Sequence, residues 1–142
     1  MRRRMIVAAT VLAVVAAVSC GGEGRVAAAP LPWEKSLGAA LARAAAENKI
    51  VMVDFYTDWC KWCKKLDATT LADADVREAL AGMVLVRLDA EGDGREAADR
   101  YAIEGYPTVL FLNAGGAEVG RIPGYMPAGP FREELDDILA RS

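Results

Sequence analysis

The chain has 142 residues, of which 54% are apolar and 26% are charged, so it is long enough for one folded domain and too apolar to be intrinsically disordered. It contains no histidine, which excludes a histidine-based catalytic dyad and a histidine-ligated metal site. Its formal charge of −3 argues against nucleic acid as a partner.

The N-terminus has the features of an export signal. Three arginines at residues 2–4 precede an uncharged apolar run over residues 5–18, which is shorter than the ~20 apolar residues of a membrane span. Residues 17–20 (AVSC) resemble a bacterial lipobox, in which the chain is cut before the cysteine and that cysteine is lipidated. We therefore expect a signal peptide over residues 1–19 and a lipid on Cys20; the alternative is an ordinary signal peptide with a chance cysteine.

A segment rich in glycine, alanine and proline follows, without apolar periodicity. Residues 20–32 are accordingly predicted to be a tether that holds the protein at a membrane through the lipid on Cys20. The folded domain is predicted to occupy residues 33–142.

The folded part alternates between helical and extended patterns. Apolar residues recur every four positions and predict a helix over residues 33–48. The apolar, β-rich run over residues 50–56 predicts a buried central strand. Residues 60–70 are predicted to be helical, and Asp73 is expected to cap a further turn or two through Leu80. The remaining predicted elements are strands over 83–88, 108–112 and 118–122 and helices over 95–102 and 130–141.

This order, αβαβαββα, defines the predicted fold class. A helical crossover makes the strands over 50–56 and 83–88 parallel neighbours. The turn sequence at 113–116 (NAGG) indicates a hairpin, so the last two strands are antiparallel. We therefore predict an α/β fold with a central four-stranded mixed sheet flanked by helices.

Two cysteines three residues apart, Cys60 and Cys63, follow the buried strand and open a helix. This spacing places both thiols on one helical face, near enough to form a disulfide. Cys60 is expected at the helix N-terminus, where unpaired N–H groups and the helix dipole favour a thiolate. Cys63, one turn further on, is expected to be more shielded and to act as the resolving thiol.

Two other interpretations of the cysteine pair are less favourable. A structural disulfide this short closes a very small loop and stabilises the fold little. A metal site normally needs four ligands, and the chain has neither histidine nor a second Cys-x-x-Cys.

Three further segments resemble the thioredoxin superfamily. Residues 53–60 (VDFYTDWC) are similar to its active-site entry, residues 105–108 (GYPT) to its cis-proline loop, and Gly124 to a glycine ahead of its last helix. Over residues 33–142 the pattern resembles the extracytoplasmic C-terminal thioredoxin domain of the transmembrane disulfide reductant conduit and thioredoxin-like lipoproteins. This resemblance implies a thioredoxin-like fold. The dipeptide between the cysteines differs from those of cytosolic thioredoxin and of the strong oxidase, which leaves the direction of electron flow open.

The resemblance assigns catalytic roles beyond the cysteines. Asp54 is an acid within an apolar strand, where an unpaired charge is costly. The family places a buried acid here as proton acceptor for the resolving thiol; the alternative is a local hydrogen bond at a strand end. Arg87 lies where the family often has a lysine, and as a permanent cation it can only stabilise the ionised acid. A solvated edge residue is the alternative for Arg87.

The resemblance also assigns substrate-binding residues. Pro107 is expected to be cis and to face the cysteine pair, so that the Tyr106 backbone can pair with an extended substrate. Trp59 is expected to line the substrate surface, and Trp62 to contact substrate or to shield the thiols. The alternatives are a rigid turn for Pro107 and plain packing for Trp59.

The predicted function is a thiol–disulfide oxidoreductase that reduces protein disulfides outside the cytoplasm through Cys60 and Cys63. It needs no metal, nucleotide or flavin. The expected partners are disulfide-containing proteins and a membrane electron-donor protein, with the domain itself a monomer. The alternatives are a dithiol oxidase or isomerase on the same fold, and a non-catalytic binding module.

Overall fold

The computed structural model describes residues 28–142. The predicted signal peptide, Cys20 and the first part of the predicted tether lie outside the described residues. The elements are β1 (Trp33–Glu34), α1 (Leu37–Glu47), β2 (Val51–Tyr56), α2 (Lys61–Ala68), α3 (Ala74–Leu80), β3 (Val84–Asp89), α4 (Arg95–Arg100), β4 (Thr108–Leu112), β5 (Glu118–Pro123) and α5 (Ala128–Arg141).

The five strands form one mixed sheet in the order β1-β3-β2-β4-β5. Strands β1 and β2 both run parallel to β3, whereas β4 is antiparallel to β2 and to β5. The predicted parallel pair and the predicted hairpin are therefore confirmed. Strand β2 lies at the centre, and its C-terminal end leads directly into the cysteine motif.

The sheet has five strands instead of the predicted four, because the segment predicted to start the first helix is extended. Trp33 and Glu34 form β1 and pair with Leu85 and Val86 of β3. Helix α1 begins only after Ser36, whose hydroxyl accepts a hydrogen bond from a backbone N–H of the first turn at 3.1 Å. Trp33 fits the four-residue apolar spacing, but it packs against the sheet and not along the helix.

Helices α2 and α3 begin at the capping residues that the sequence predicts. Cys60 is the N-cap of α2. The Asp73 carboxylate accepts hydrogen bonds from the backbone N–H groups of Asp75 and Val76, at 3.0 and 3.1 Å, and so caps α3. Helix α5 begins at Ala128, two residues before its predicted start.

Two apolar cores cover the faces of the sheet. One core lies between the sheet and helices α1 and α4, and includes Val53 and Phe55 of β2. The other lies between the sheet and helices α2, α3 and α5, and includes Met52. Because side chains alternate along a strand, Asp54 points toward the same face as Met52.

The last residues of the predicted tether contact the domain. Leu31 packs against the core beneath α2, α3 and α5. The backbone carbonyl of Ala29 accepts a hydrogen bond from the Arg77 guanidinium. Within residues 28–142 no helix has both the length and the apolarity that a membrane span requires.

Candidate active site

Cys60 and Cys63 form a disulfide at the start of α2, with their Cα atoms 5.3 Å apart. The Cys63 backbone N–H donates a hydrogen bond to the Cys60 sulfur at 3.0 Å. This N–H belongs to the first turn of the helix, where backbone donors have no partner within the helix. In the reduced protein the same donor and the helix dipole favour a thiolate on Cys60.

Exposure does not distinguish the two cysteines. Cys60 is 4% exposed and Cys63 is 3% exposed, so the expected greater shielding of Cys63 is slight in the disulfide form. The two sulfurs differ instead in their position on α2, since only Cys60 occupies the N-cap.

Asp54 is completely buried in β2. The nearest described cation is Arg87, whose Nη2 lies 2.9 Å from Asp54 Oδ2. Neither carboxylate oxygen has a well-aligned hydrogen bond from any residue in the described range. Burial raises the pKa of Asp54 to about 6, because the positive charge of Arg87 only partly offsets desolvation and the Asp67 carboxylate adds to the rise.

Arg87 connects the buried acid to the surface. Its guanidinium forms a hydrogen-bonded ion pair with Asp67 and lies near two aromatic rings, 5.3 Å from the centre of the Trp33 ring and 5.0 Å from that of Tyr56. Burial lowers the pKa of Arg87, but Asp54 and Asp67 outweigh burial and raise it. The side chain is only 26% exposed, so Arg87 belongs to the site and is not a solvated edge residue.

Asp67 is a residue of this site that the sequence motifs do not identify. It lies four residues after Cys63 on α2, and this spacing, which places both on one helical face, is the only sequence signal for it. A cleft of about 200 Å³ opens beside these two residues. Its lining residues are Tyr56, Thr57, Asp58, Cys63, Lys64, Asp67 and Arg87.

Trp59, just before Cys60, lies on the surface. It is 64% exposed, which argues against plain packing. Its ring meets that of Tyr106 edge to face at 6.3 Å, and its indole N–H donates a hydrogen bond to Glu91 at 3.0 Å. The Tyr106–Pro107 peptide bond is cis, as the resemblance implies. Trp59 therefore joins the proline loop to the cysteine motif, and Glu91 is a neighbour that the motifs do not reveal.

Trp62, between the cysteines, is 55% exposed. Its ring stacks on that of Tyr125, with ring centres 5.4 Å apart. The Lys65 ammonium lies 5.0 Å from the centre of the Trp62 ring and 4.7 Å from that of Tyr125. Gly124, which has φ +78°, makes the left-handed turn that leads from β5 into Tyr125.

Comparison with known proteins identifies the family of this chain. Residues 37–139 match the thioredoxin-like domain family. The thiol:disulfide interchange protein DsbD of Colwellia psychrerythraea is 36% identical over 103 residues, which are 68% of this chain and 17% of that protein. DsbD of Ralstonia nicotianae is 38% identical over 104 residues, or 70% of this chain and 17% of its own length. The chain thus matches only about a sixth of these relatives.

Solved structures of related proteins have the same fold. The oxidised C-terminal domain of Neisseria meningitidis DsbD has a TM-score of 0.60 and 27% identity, covering 71% of this chain and 91% of that chain. A thioredoxin from Thermus thermophilus has a TM-score of 0.66 and 34% identity, covering 73% and 84%. The chain therefore belongs to the thioredoxin-like family, is related to the C-terminal thioredoxin domain of DsbD, and contains a Cys60–Cys63 disulfide pair.

Proposed function

We propose that this protein reduces protein disulfides outside the cytoplasm. The observation that carries the proposal is the position of the Cys60 sulfur at the N-cap of α2, where it accepts a hydrogen bond from the backbone N–H of Cys63. The buried acid Asp54 lies on β2, the strand that precedes this motif. The Cys60 thiolate attacks one sulfur of a substrate disulfide, and the other substrate sulfur leaves as a thiolate. Cys63 then attacks Cys60, which breaks the mixed disulfide, releases the second substrate thiolate and forms the Cys60–Cys63 disulfide.

Asp54 is the proposed base for the second step. Because its pKa lies at about 6, Asp54 is mostly ionised at neutral pH and yet binds a proton more readily than an exposed aspartate does. It takes the Cys63 proton as that thiol becomes the nucleophile. Arg87 remains protonated and stabilises the ionised form of Asp54.

The proposed substrate surface combines backbone and aromatic groups. Tyr106, next to the cis proline Pro107, contacts the ring of Trp59, which places this loop beside the residue before Cys60. An extended substrate segment pairs with the Tyr106 backbone in the manner of an added strand, over the exposed rings of Trp59 and Trp62.

The proposed location follows from the N-terminal signal. Residues 1–19 direct export and Cys20 carries the lipid that holds the domain at a membrane. Compartments outside the cytoplasm are oxidising, so the Cys60–Cys63 disulfide must be reduced again after each cycle. A membrane electron-donor protein is the proposed source of these electrons.

Trapping in cells tests this function. With Cys63→Ala the mixed disulfide cannot be resolved, so we expect substrate proteins covalently bound to Cys60, identifiable by mass spectrometry and released by reductant. Cys60→Ala, the matched control, is expected to trap none. The purified wild-type protein is expected to accelerate the reduction of insulin by dithiothreitol. If no protein is trapped and insulin is not reduced, the domain is a binding module. If the reduction potential of the Cys60–Cys63 pair, measured against glutathione, lies near the oxidising end of the family's range, the protein is an oxidase.

A further inference from the structure

The two exposed tryptophans beside the disulfide have charged partners of opposite sign. Glu91 accepts a hydrogen bond from the Trp59 indole N–H through Oε2, at 3.0 Å. The Lys65 ammonium lies 5.0 Å from the centre of the Trp62 ring. Within residues 28–142, neither Glu91 nor Lys65 takes part in an ion pair. Both charges are therefore available to a partner.

The sheet topology places these charges on opposite sides of Cys60. Glu91 follows β3, whereas Tyr125, over whose ring the Lys65 ammonium lies, follows β5. Strands β3, β2 and β5 end at the same edge of the sheet, because β2 is parallel to β3 and the antiparallel β4 separates β2 from β5. In the order β3-β2-β4-β5 the outer strands lie three strand spacings apart, or about 14 Å, and Cys60 follows β2 between them.

Glu91 and Lys65 each have neighbours of the same charge. Asp93 is exposed on the same loop as Glu91. Lys61 and Lys64 are exposed on the same helix as Lys65. None of these three side chains forms an ion pair within the described part of the chain. The surface around the disulfide is thus negative toward β3 and positive along α2.

We propose that the domain selects protein partners whose reactive cysteine lies in an extended segment between an acidic and a basic residue. The spacing of about 14 Å between β3 and β5 corresponds to about four residues of extended chain. The acidic residue of the partner lies at Lys65 and the basic residue at Glu91, which fixes the direction in which the segment crosses Cys60. Such surface charges act mainly on the rate and orientation of association. This inference rests on the proposed function and names its substrate class.

Two disulfide peptides of equal composition test the inference with the reduced, full-length protein. Each carries its cysteine in a mixed disulfide with thionitrobenzoate. One peptide has glutamate two residues before the cysteine and lysine two residues after it, and the other has these charges exchanged. We expect the release of thionitrobenzoate to be about fivefold faster for one peptide than for the other at low salt, as two ordinary surface ion pairs would give. The two rates are expected to converge in 1 M NaCl, where charges are screened beyond about 3 Å.

The double variant Lys65→Glu/Glu91→Lys is expected to reverse the preferred peptide. Its matched control, Glu47→Lys/Lys49→Glu, exchanges an ion pair before β2, at the other edge of the sheet, and is expected to keep the wild-type preference. Equal rates for both peptides in the wild type, a preference that survives 1 M NaCl, or an unchanged preference in the double variant would overturn the inference. Failure of the wild type to react with either peptide would instead contradict the proposed function.

Discussion

The two faces of strand β2 have opposite characters. On one face Val51, Val53 and Phe55 are fully buried in an apolar core with α1 and α4. On the other face the equally buried Asp54 lies between Met52 and Tyr56 and meets Arg87. One face of the strand therefore contributes to an apolar core, and the other holds an ionisable group against Arg87.

Because Asp54 is buried, the stability of the protein is expected to depend on pH. The pKa of Asp54 rises from its ordinary 3.8 to about 6 on folding, so between these values the folded protein binds more protons than the unfolded chain. The free energy of unfolding therefore falls as pH rises from about 4 to about 6 and levels off above. Ionised Asp54 costs about 3 kcal/mol of stability at neutral pH, whereas the apolar face carries no such cost.

The largest effect is expected on the reaction. Replacement Asp54→Asn removes the proposed base and is expected to slow release from the mixed disulfide by about 10²–10⁴-fold, while formation of the mixed disulfide changes little. Stopped-flow kinetics with a fluorescent disulfide peptide separates the two steps. If release keeps its wild-type rate, Asp54 has only a structural role.

The apolar face is expected to respond in stability alone. Replacement Phe55→Ala leaves a cavity in the core beneath α1 and is expected to lower the free energy of unfolding by about 3–5 kcal/mol. Urea unfolding measures this loss. Under conditions where the variant remains folded, release from the mixed disulfide is expected to keep its rate, and a selective loss of that step would show that the two faces are not independent.

On the site face, the same Asp54→Asn variant is expected to gain stability. Removal of the buried charge is expected to raise the free energy of unfolding of the disulfide form by up to about 3 kcal/mol at pH 7, because Arg87 keeps Asp67 as its partner. The stability of the variant is expected to vary less between pH 4 and pH 6 than that of the wild type. Denaturant unfolding between pH 4 and pH 7 measures these stabilities. A variant that is less stable than the wild type at pH 7 would contradict the cost assigned to the ionised Asp54.

A smaller effect is expected from Arg87→Gln. Without the guanidinium the pKa of Asp54 is expected to rise further, since the positive charge of Arg87 is what lowers it. The pH profile of the release step is expected to move upward by about one unit, which slows the step about fivefold at pH 6 but not at high pH. Arg87→Lys, which retains a positive charge, is the matched control and is expected to restore most of the profile. If the pH profile of Arg87→Gln is not shifted, Arg87 does not influence the pKa of Asp54 in the release step.

Short-range sequence patterns predict most of the helices and strands of this domain. The buried strand before Cys60, the Asp73 cap and the hairpin turn each depend on neighbouring residues, and each is present. Strand β1 has no such local signal, because its two residues are extended only through pairing with β3, about fifty residues later in the chain.

The contacts that complete the site join residues far apart in sequence. Arg87 meets Asp67 across 20 residues, and Trp59 meets Glu91 across 32. Motif spacing does not encode such pairs, because they arise only when β3 pairs with β2 and the segment that follows β2 contacts β3 and the loop after it.

The role of Cys60 as the attacking thiol is tested most directly by the alkylation rate of each cysteine in the reduced protein. Iodoacetamide labelling followed by peptide mapping, repeated from pH 5 to pH 9, reports the thiolate fraction of Cys60 and of Cys63 separately. We expect Cys60 to label faster near neutral pH, with a pKa below the ordinary ~8.5 of a cysteine, since only Cys60 occupies the N-cap of α2. Equal labelling of both cysteines, or faster labelling of Cys63, would contradict the assignment of Cys60 as the attacking thiol.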